Sequence, residues 1–117
     1  MAETKVGFSV RRINPTTSII DIQGDVSGFA EEALMNAYNQ ASQDSARNII
    51  LNFTQMEYMN SSGIGLLVTL LIRINRQKQH MLAFGLSEHY RQIFEITRLT
   101  QAIAIYDSEA QALAASK

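Results

Sequence analysis

The segment Asn60-Ser61-Ser62-Gly63-Ile64-Gly65 separates an apolar strand from an apolar helix. The predicted strand, residues 48–53, carries apolar side chains on both faces, which is typical of a strand covered on both sides. A short polar loop is expected to follow it. The predicted helix spans residues 61–78, because apolar residues recur at helical spacing. Its inward stripe comprises Ile64, Leu67, Val68, Leu71 and Ile74 or Asn75.

Two hydroxyl groups therefore stand where a helix begins. That position has free backbone N–H groups and the positive end of the helix dipole. Serine is a preferred N-cap residue, so Ser61 and Ser62 can be simple caps. A helix start also favours anions, so the same residues can be a place where phosphate is added or bound.

Composition predicts a single globular domain over residues 1–117. Hydrophobic residues make up 46% of the chain, which is enough for a core. The net charge is −1 without long charged runs, so a nucleic-acid surface is not expected. The chain has no cysteine, which excludes a thiolate metal site or a thiol nucleophile. Neither a signal peptide nor a membrane-spanning stretch is recognisable, so we expect a cytoplasmic protein without membrane insertion.

Strand patterns precede the central segment. Alternating apolar residues predict strands at residues 6–10 and 18–23, joined by a turn at Asn14-Pro15-Thr16. Residues 24–28 are predicted as a loop in which Ser27 caps a helix that ends at residues 44–46. The inward face of that helix is expected to comprise Phe29, Ala33, Leu34, Ala37, Tyr38 and Ala41.

Two more strands, at residues 81–85 and 103–106, are each expected to lead into a capped helix. Ser87 caps the first helix and Asp107 the second. The inward residues are Tyr90, Ile93, Phe94 and Thr97 in the first, and Ala110, Leu113 and Ala114 in the second. The order ββαβαβαβα, with about five strands and about four helices, favours a single α/β domain with a mixed, mostly parallel sheet. Functional loops gather at the carboxyl ends of such strands, where residues 60–65 stand.

The glycines near the helix start do not indicate a nucleotide site. Gly63 and Gly65 begin like a dinucleotide fingerprint, but Val68 occupies the third glycine position, and no Gly-Lys-Ser/Thr triplet exists. We instead expect the glycines to let the helix start pass close to a neighbouring element.

Catalytic and metal chemistry are also poorly supported. The Gly-x-Ser-x-Gly elbow of serine hydrolases is absent, and His80 and His89 are typical surface histidines. Asp21, Asp25 and Glu57 lack the spacing of metal ligands. We therefore predict no enzymatic activity, no cofactor and no metal.

Large or charged side chains flank the predicted helix. Met56 and Met59 are expected to lie mostly in the core and Tyr58 to be partly exposed. Arg73, Arg76 and Lys78 form a basic edge at the end of the helix, which the negative end of the helix dipole explains.

Residues 59–67, Met-Asn-Ser-Ser-Gly-Ile-Gly-Leu-Leu, follow an apolar strand and resemble the signature of the STAS domain. More narrowly, they resemble the bacterial anti-sigma factor antagonists. Residues 20–26, 49–53, 84–85 and 93–99 also fit the family's pattern, so the resemblance covers nearly the whole chain.

This resemblance implies a non-catalytic regulator. In the family, the unmodified antagonist binds an anti-sigma factor that is also a serine kinase, and the sigma factor is released. The kinase phosphorylates the first serine of the motif, which abolishes binding, and a metal-dependent serine phosphatase restores it. The acceptor position corresponds to Ser61, with Ser62 as the second choice. Asn60 stands where the family usually has aspartate; it keeps the shape and a capping oxygen but removes a charge beside the acceptor.

The expected partner-binding surface surrounds the acceptor, and we expect a monomer or weak dimer. A lone STAS domain can also serve as a non-catalytic subunit of an ABC-type lipid transport complex or as a unit of a stress-sensing scaffold. The candidate contact residues are Asp25, Ser27, Tyr58, Asn60, Ser61, Ser62, Ile64 and Leu66.

Overall fold

The computed structural model describes residues 5–43 and 45–116. In this part of the chain, five strands form one sheet in the order β1-β2-β3-β4-β5. Only the β1–β2 pair is antiparallel, so the predicted mixed α/β sheet and the order ββαβαβαβα are confirmed. The strands are β1 (Gly7–Asn14), β2 (Thr17–Val26), β3 (Asn48–Met59), β4 (His80–Phe84) and β5 (Ala104–Tyr106). The helices are α1 (Glu31–Ala41), α2 (Ser61–Arg76), α3 (Glu88–Ile96) and α4 (Glu109–Ala115), with 3₁₀ turns at Gly28–Ala30 and Leu99–Gln101.

The two faces of the sheet are covered unequally. Ile49 and Leu51 of β3 join the main core, which also contains buried side chains of α1, α2 and α3. Ile50, between them, joins a smaller cluster with Phe84 and with Ala112 of α4. Because successive strand residues face opposite sides, this explains why β3 is apolar on both faces, as predicted.

β2 and β3 are longer than predicted. β2 continues to Val26 and β3 to Met59, so residues 24–26 and 54–59 are strand rather than loop. The two strands stay paired to their ends, where Val26 lies opposite Met59. Much of this extension of β3 is exposed, so its polar residues do not oppose strand formation.

The start of α1 differs most from the prediction. Residues 28–30 form a 3₁₀ turn, and Ser27 precedes it without making a side-chain capping hydrogen bond. Phe29 is fully exposed on this turn instead of facing the core. Ala33 is also exposed, whereas the other predicted inward residues are buried. The helix ends at Ala41, before the predicted end at residues 44–46, of which Asp44 lies outside the described residues.

α2 begins as predicted but ends at Arg76 rather than at residue 78. Lys78 adopts a left-handed conformation with φ of 58°, and the next N–H, of Gln79, donates to the carbonyl of Ile74 at 3.0 Å. This is a Schellman ending, which satisfies carbonyl groups of the last turn. The buried face is also rotated from the predicted stripe, since Val68 and Asn75 are exposed. It comprises Gly63, Leu66, Leu67, Leu70, Leu71 and Ile74.

Ser87 caps α3 as predicted, by accepting the N–H of Tyr90 at 3.4 Å. Thr97, predicted as an inward residue of that helix, lies just past its end and is exposed.

The cap of α4 is Ser108, whose Oγ accepts the N–H of Gln111 at 3.2 Å. Asp107 was predicted in this role, but its carboxylate lies 3.1 Å from Arg91 of α3. One turn into α4, Ala112 is buried, whereas Ala110 and Ala114 are exposed.

A charged network holds α4 against the sheet. Arg11 of β1 donates to both carboxylate oxygens of Asp21 at 2.6 and 2.8 Å, and to Glu109 of α4 at 2.7 Å. Asn52 of β3 also donates to Asp21, at 2.7 Å. Burial opposes ionisation of Asp21, but the hydrogen bonds from Arg11 and Asn52 outweigh it and lower the pKa of this carboxyl.

The network predicts a pH-dependent contribution to stability. A folded-state pKa below the ordinary 3.8 means that Asp21 stabilises the fold above that pH, and that the contribution is lost as pH falls through the folded-state pKa. We expect Asp21→Asn to cost about 1 kcal/mol of unfolding free energy at neutral pH, and less in acid. Urea unfolding of the parent and of Asp21→Asn, at neutral pH and at a pH below 3.8, measures the free energy of unfolding of each protein. Glu95→Gln, at an exposed position, is the control. A difference in unfolding free energy between parent and Asp21→Asn that is the same at both pH values would contradict the prediction.

Candidate functional site at the start of helix α2

Asn60, rather than either serine, caps α2. Its backbone is extended, and its side-chain Oδ1 accepts the N–H of Gly63 at 2.8 Å. Its carbonyl accepts the N–H of Ile64 at 3.0 Å. The capping role that the sequence left open for Ser61 and Ser62 therefore belongs to their neighbour.

The two serines occupy the first positions of α2, and both are exposed. Among the residues that the structure describes, neither hydroxyl has a hydrogen-bond partner. A hydroxyl that supports no part of the fold can be modified without breaking a contact. Because both side chains are exposed, another protein can reach the hydroxyl groups of Ser61 and Ser62.

The expected close passage of the helix start is confirmed at Gly63. A Cβ atom at this position would collide with the carbonyl oxygen of Val26 and lie 2.8 Å from Cγ of Met59. The same Val26 carbonyl accepts the N–H of Asn60 at 3.2 Å. Gly65 differs, because a Cβ atom there would meet nothing within 4 Å.

A buried hydrogen bond supports the strand end that leads into the site. The hydroxyl of Tyr90 in α3 accepts the N–H of Met59 at 2.9 Å. Tyr90 is held there by the helix that Ser87 caps. Three elements, β2, β3 and α3, thus fix the backbone immediately before Ser61.

A pocket of about 410 Å³ with a mixed polar and apolar lining lies beside the helix start. Asp25 and Tyr58 sit opposite each other on β2 and β3, and Tyr58 is 55% exposed. Phe29 of the 3₁₀ turn also lines the pocket. The same turn lies against the helix start, since a Cβ atom at Gly28 would lie 3.2 Å from Cβ of Ser62. The lining residues are Lys5, Val6, Asp25, Val26, Ser27, Phe29, Tyr58 and Asn60.

The structure brings most of the predicted contact residues together. Asp25, Ser27, Tyr58 and Asn60 share this pocket, and Ser61 follows Asn60 directly. Ile64, in the next turn of α2, is half-buried.

Two residues correct the predicted set. Leu66 is only 7% exposed and belongs to the main core, so it is not available for direct contact. Phe29 was missed, because its spacing from Ala33 and Leu34 resembles a helical core position. Its one local signal was the preceding Ser27-Gly28, a pair typical of turns.

The fold does not bring the two histidines together. His80 begins β4 and His89 lies in the first turn of α3, beyond the opposite end of that strand, and both are exposed. Within residues 5–43 and 45–116, no cluster of three or more His, Asp or Glu side chains is placed to hold a metal ion. In the same ranges, no helix combines the length and apolar character needed to cross a membrane.

Comparison with known proteins assigns the family. The sequence profile of the STAS domain matches residues 9–112, so the chain belongs to the STAS domain family. Within that family, an anti-sigma-B factor antagonist from Staphylococcus aureus (strain NCTC 8325 / PS 47) is 29% identical over 80 residues. The match covers 68% of this chain and 74% of the relative.

Solved structures share the fold at lower identity. An anti-sigma factor antagonist from Mycobacterium paratuberculosis superposes with a TM-score of 0.79 at 17% identity, covering 95% of this chain and 93% of that one. SpoIIAA in its unphosphorylated form gives a TM-score of 0.71 at 20% identity, covering 92% and 94% of the two chains. The phosphorylated form of Bacillus SpoIIAA also gives 0.71, at 22% identity, covering 92% and 97%.

The contact at Gly63 predicts a strong effect of one methyl group. Gly63→Ala places a Cβ atom against the Val26 carbonyl, which is backbone and cannot rotate away. We expect a loss of about 1–3 kcal/mol of unfolding free energy. Urea unfolding measures it, and Gly28→Ala, whose nearest contact is the Ser62 side chain, serves as the milder control. A Gly63→Ala protein as stable as the parent would refute the close approach.

Proposed function

We propose that this protein is an anti-sigma factor antagonist. Its unmodified form binds an anti-sigma factor that is also a serine kinase, and the sigma factor is released. Phosphorylation of Ser61 ends the binding, and a metal-dependent serine phosphatase reverses the modification. The observation that carries the proposal is the exposed Ser61 hydroxyl, which lies on a rigid helix start yet takes no part in holding it. The name of the Staphylococcus aureus relative supports the same role.

Phosphate on Ser61 is compatible with the fold. It adds about −1.5 to −2 charges and three strong acceptor oxygens. The helix dipole and free N–H groups favour negative charge at this end of α2. Asn60 is neutral, so the neighbouring cap does not repel the phosphate. That unphosphorylated and phosphorylated SpoIIAA match this chain with the same TM-score supports a switch without refolding.

The effect of phosphate therefore falls on the partner. A neutral hydroxyl can be buried in an interface at small cost, whereas an unpaired phosphate is costly to desolvate. We name the region that the partner covers the switch surface. It comprises Asp25, Ser27, Phe29, Tyr58, Asn60, Ser61 and Ser62, with the half-buried Ile64 at its edge.

This role is regulatory and needs neither enzymatic activity nor a cofactor of the protein's own. We expect it to operate in the cytoplasm, where sigma factors act, with the antagonist as a monomer or weak dimer. Co-purification with membrane ATPase subunits, or assembly of the chain into a large homo-oligomer, would instead indicate the transport or scaffold role.

A phosphorylation assay tests the proposal. The purified protein is incubated with ATP and each purified anti-sigma factor kinase of its own genome, and the modified residue is identified by mass spectrometry. We expect modification of the parent and of Ser62→Ala, and none of Ser61→Ala. Ser61→Asp should bind the kinase at least about tenfold more weakly, because its charge would be buried in the interface. Its amide hydrogen exchange should match that of the parent.

Modification confined to Ser62 would move the switch by one residue. Equal kinase binding by Ser61→Asp and the parent would refute the switch itself.

Phe29 provides a second test of the switch surface. Aromatic residues, phenylalanine among them, are enriched in protein interfaces relative to the rest of the surface. Since the side chain of Phe29 lies outside the core, Phe29→Ala should leave the melting temperature unchanged but weaken kinase binding by about tenfold or more. Isothermal titration calorimetry measures the affinity. Ile96→Ala, another exposed apolar position at the far end of α3, is the matched control. Equal losses for both variants would argue against a specific role of Phe29.

A further inference from the structure

Gly65 is a glycine that the fold does not require. It lies within α2, it is exposed, and a Cβ atom there would have open space around it. Its φ is not in the left-handed region that favours glycine. Glycine destabilises a helix interior relative to alanine, because its backbone loses more freedom on folding. Gly65 therefore lowers the stability of α2 without a benefit inside the domain.

The exposed face around Gly65 carries no charge. From residue 61 to residue 72 the helix contains no charged side chain, and Arg73 is the first. Val68 is 40% exposed and Ile72 is 48% exposed. We name this face the α2 ridge; it comprises Ser61, Gly65, Val68, Thr69 and Ile72, which recur at helical spacing.

An exposed helix face is usually polar and charged. Depletion of charge together with exposed apolar residues is characteristic of the centre of a protein interface. The α2 ridge also begins at Ser61, so it continues the switch surface without a break. Both observations indicate that the partner of the switch surface covers the ridge as well.

We propose that the anti-sigma factor kinase lays an uncharged segment of its main chain along the α2 ridge, in contact with the backbone at Gly65. This inference rests on the proposed function. Glycine lets another backbone approach a helix more closely than any other residue does, because even a methyl group would hold it further away. Ser61 and Gly65 are one helical turn apart, so phosphate on Ser61 occupies the space that this segment fills. The steric and desolvation costs of phosphorylation then fall on the same contact.

The test is a variant that stabilises the protein yet weakens binding. Gly65→Ala should raise the melting temperature by a few degrees, because alanine is the better helix former. It should weaken binding of the kinase identified by the phosphorylation assay by about tenfold or more. Asn75→Ala, an exposed α2 position beyond the ridge, should also stabilise the helix but leave binding unchanged. Differential scanning calorimetry on the full chain gives the melting temperature, and isothermal titration calorimetry gives the affinity for the kinase.

Three outcomes would overturn this inference. Unchanged kinase binding by Gly65→Ala removes the close approach but leaves the proposed function standing. Failure of the parent to bind any anti-sigma factor kinase removes both. Concentration-dependent association of the parent alone, abolished in Gly65→Ala, assigns the ridge to a second copy of the chain; sedimentation velocity detects it.

Discussion

The approach of Gly63 to the carbonyl of Val26 determines where α2 begins relative to the sheet. Through this contact the first turn of the helix lies directly against the end of β2. The same carbonyl accepts the N–H of Asn60, so the residue that caps α2 is tied to the strand that α2 touches. The hydroxyl of Tyr90 supports the preceding residue from the other side. Ser61 is therefore held at a fixed position by contacts in which it takes no part.

Under the proposed function, the residues that hold the helix start are separate from the residues that are modified, which lets a small domain carry a reversible charge. Asn60, Gly63 and Met59 make the contacts that fix the helix start, and none of these residues has a side chain that can be phosphorylated. Ser61 and Ser62 carry hydroxyl groups that can be phosphorylated, and neither hydroxyl has a hydrogen-bond partner within the part of the chain that the structure describes. In the proposed switch, phosphate at these positions changes the surface that a partner meets and leaves the contacts at Asn60, Gly63 and Met59 in place.

Local patterns were enough to predict the order of the elements, the start of α2 and the Ser87 cap, since each depends on residues close together in sequence. The extension of β3 was missed because residues 54–59 are held as a strand by pairing with β2, some thirty positions earlier in the chain. Asp107 lost the capping role to Ser108, and its carboxylate lies instead beside Arg91. Phe29 had the spacing of a core residue, and only the 3₁₀ turn turned it outward. At the site, sequence located the serines and four residues of the pocket beside them, Asp25, Ser27, Tyr58 and Asn60, but not the outward Phe29.

The amide of Asn60 has one more consequence. An amide neither gains nor loses a proton where carboxylates titrate, whereas an aspartate in the same place would become a poorer acceptor for the Gly63 N–H on protonation. The hydrogen bond that caps α2 therefore does not depend on pH over the range in which carboxylates titrate. Under the proposed function, a partner that recognises the capped helix start responds to phosphorylation of Ser61 and not to protonation of the cap.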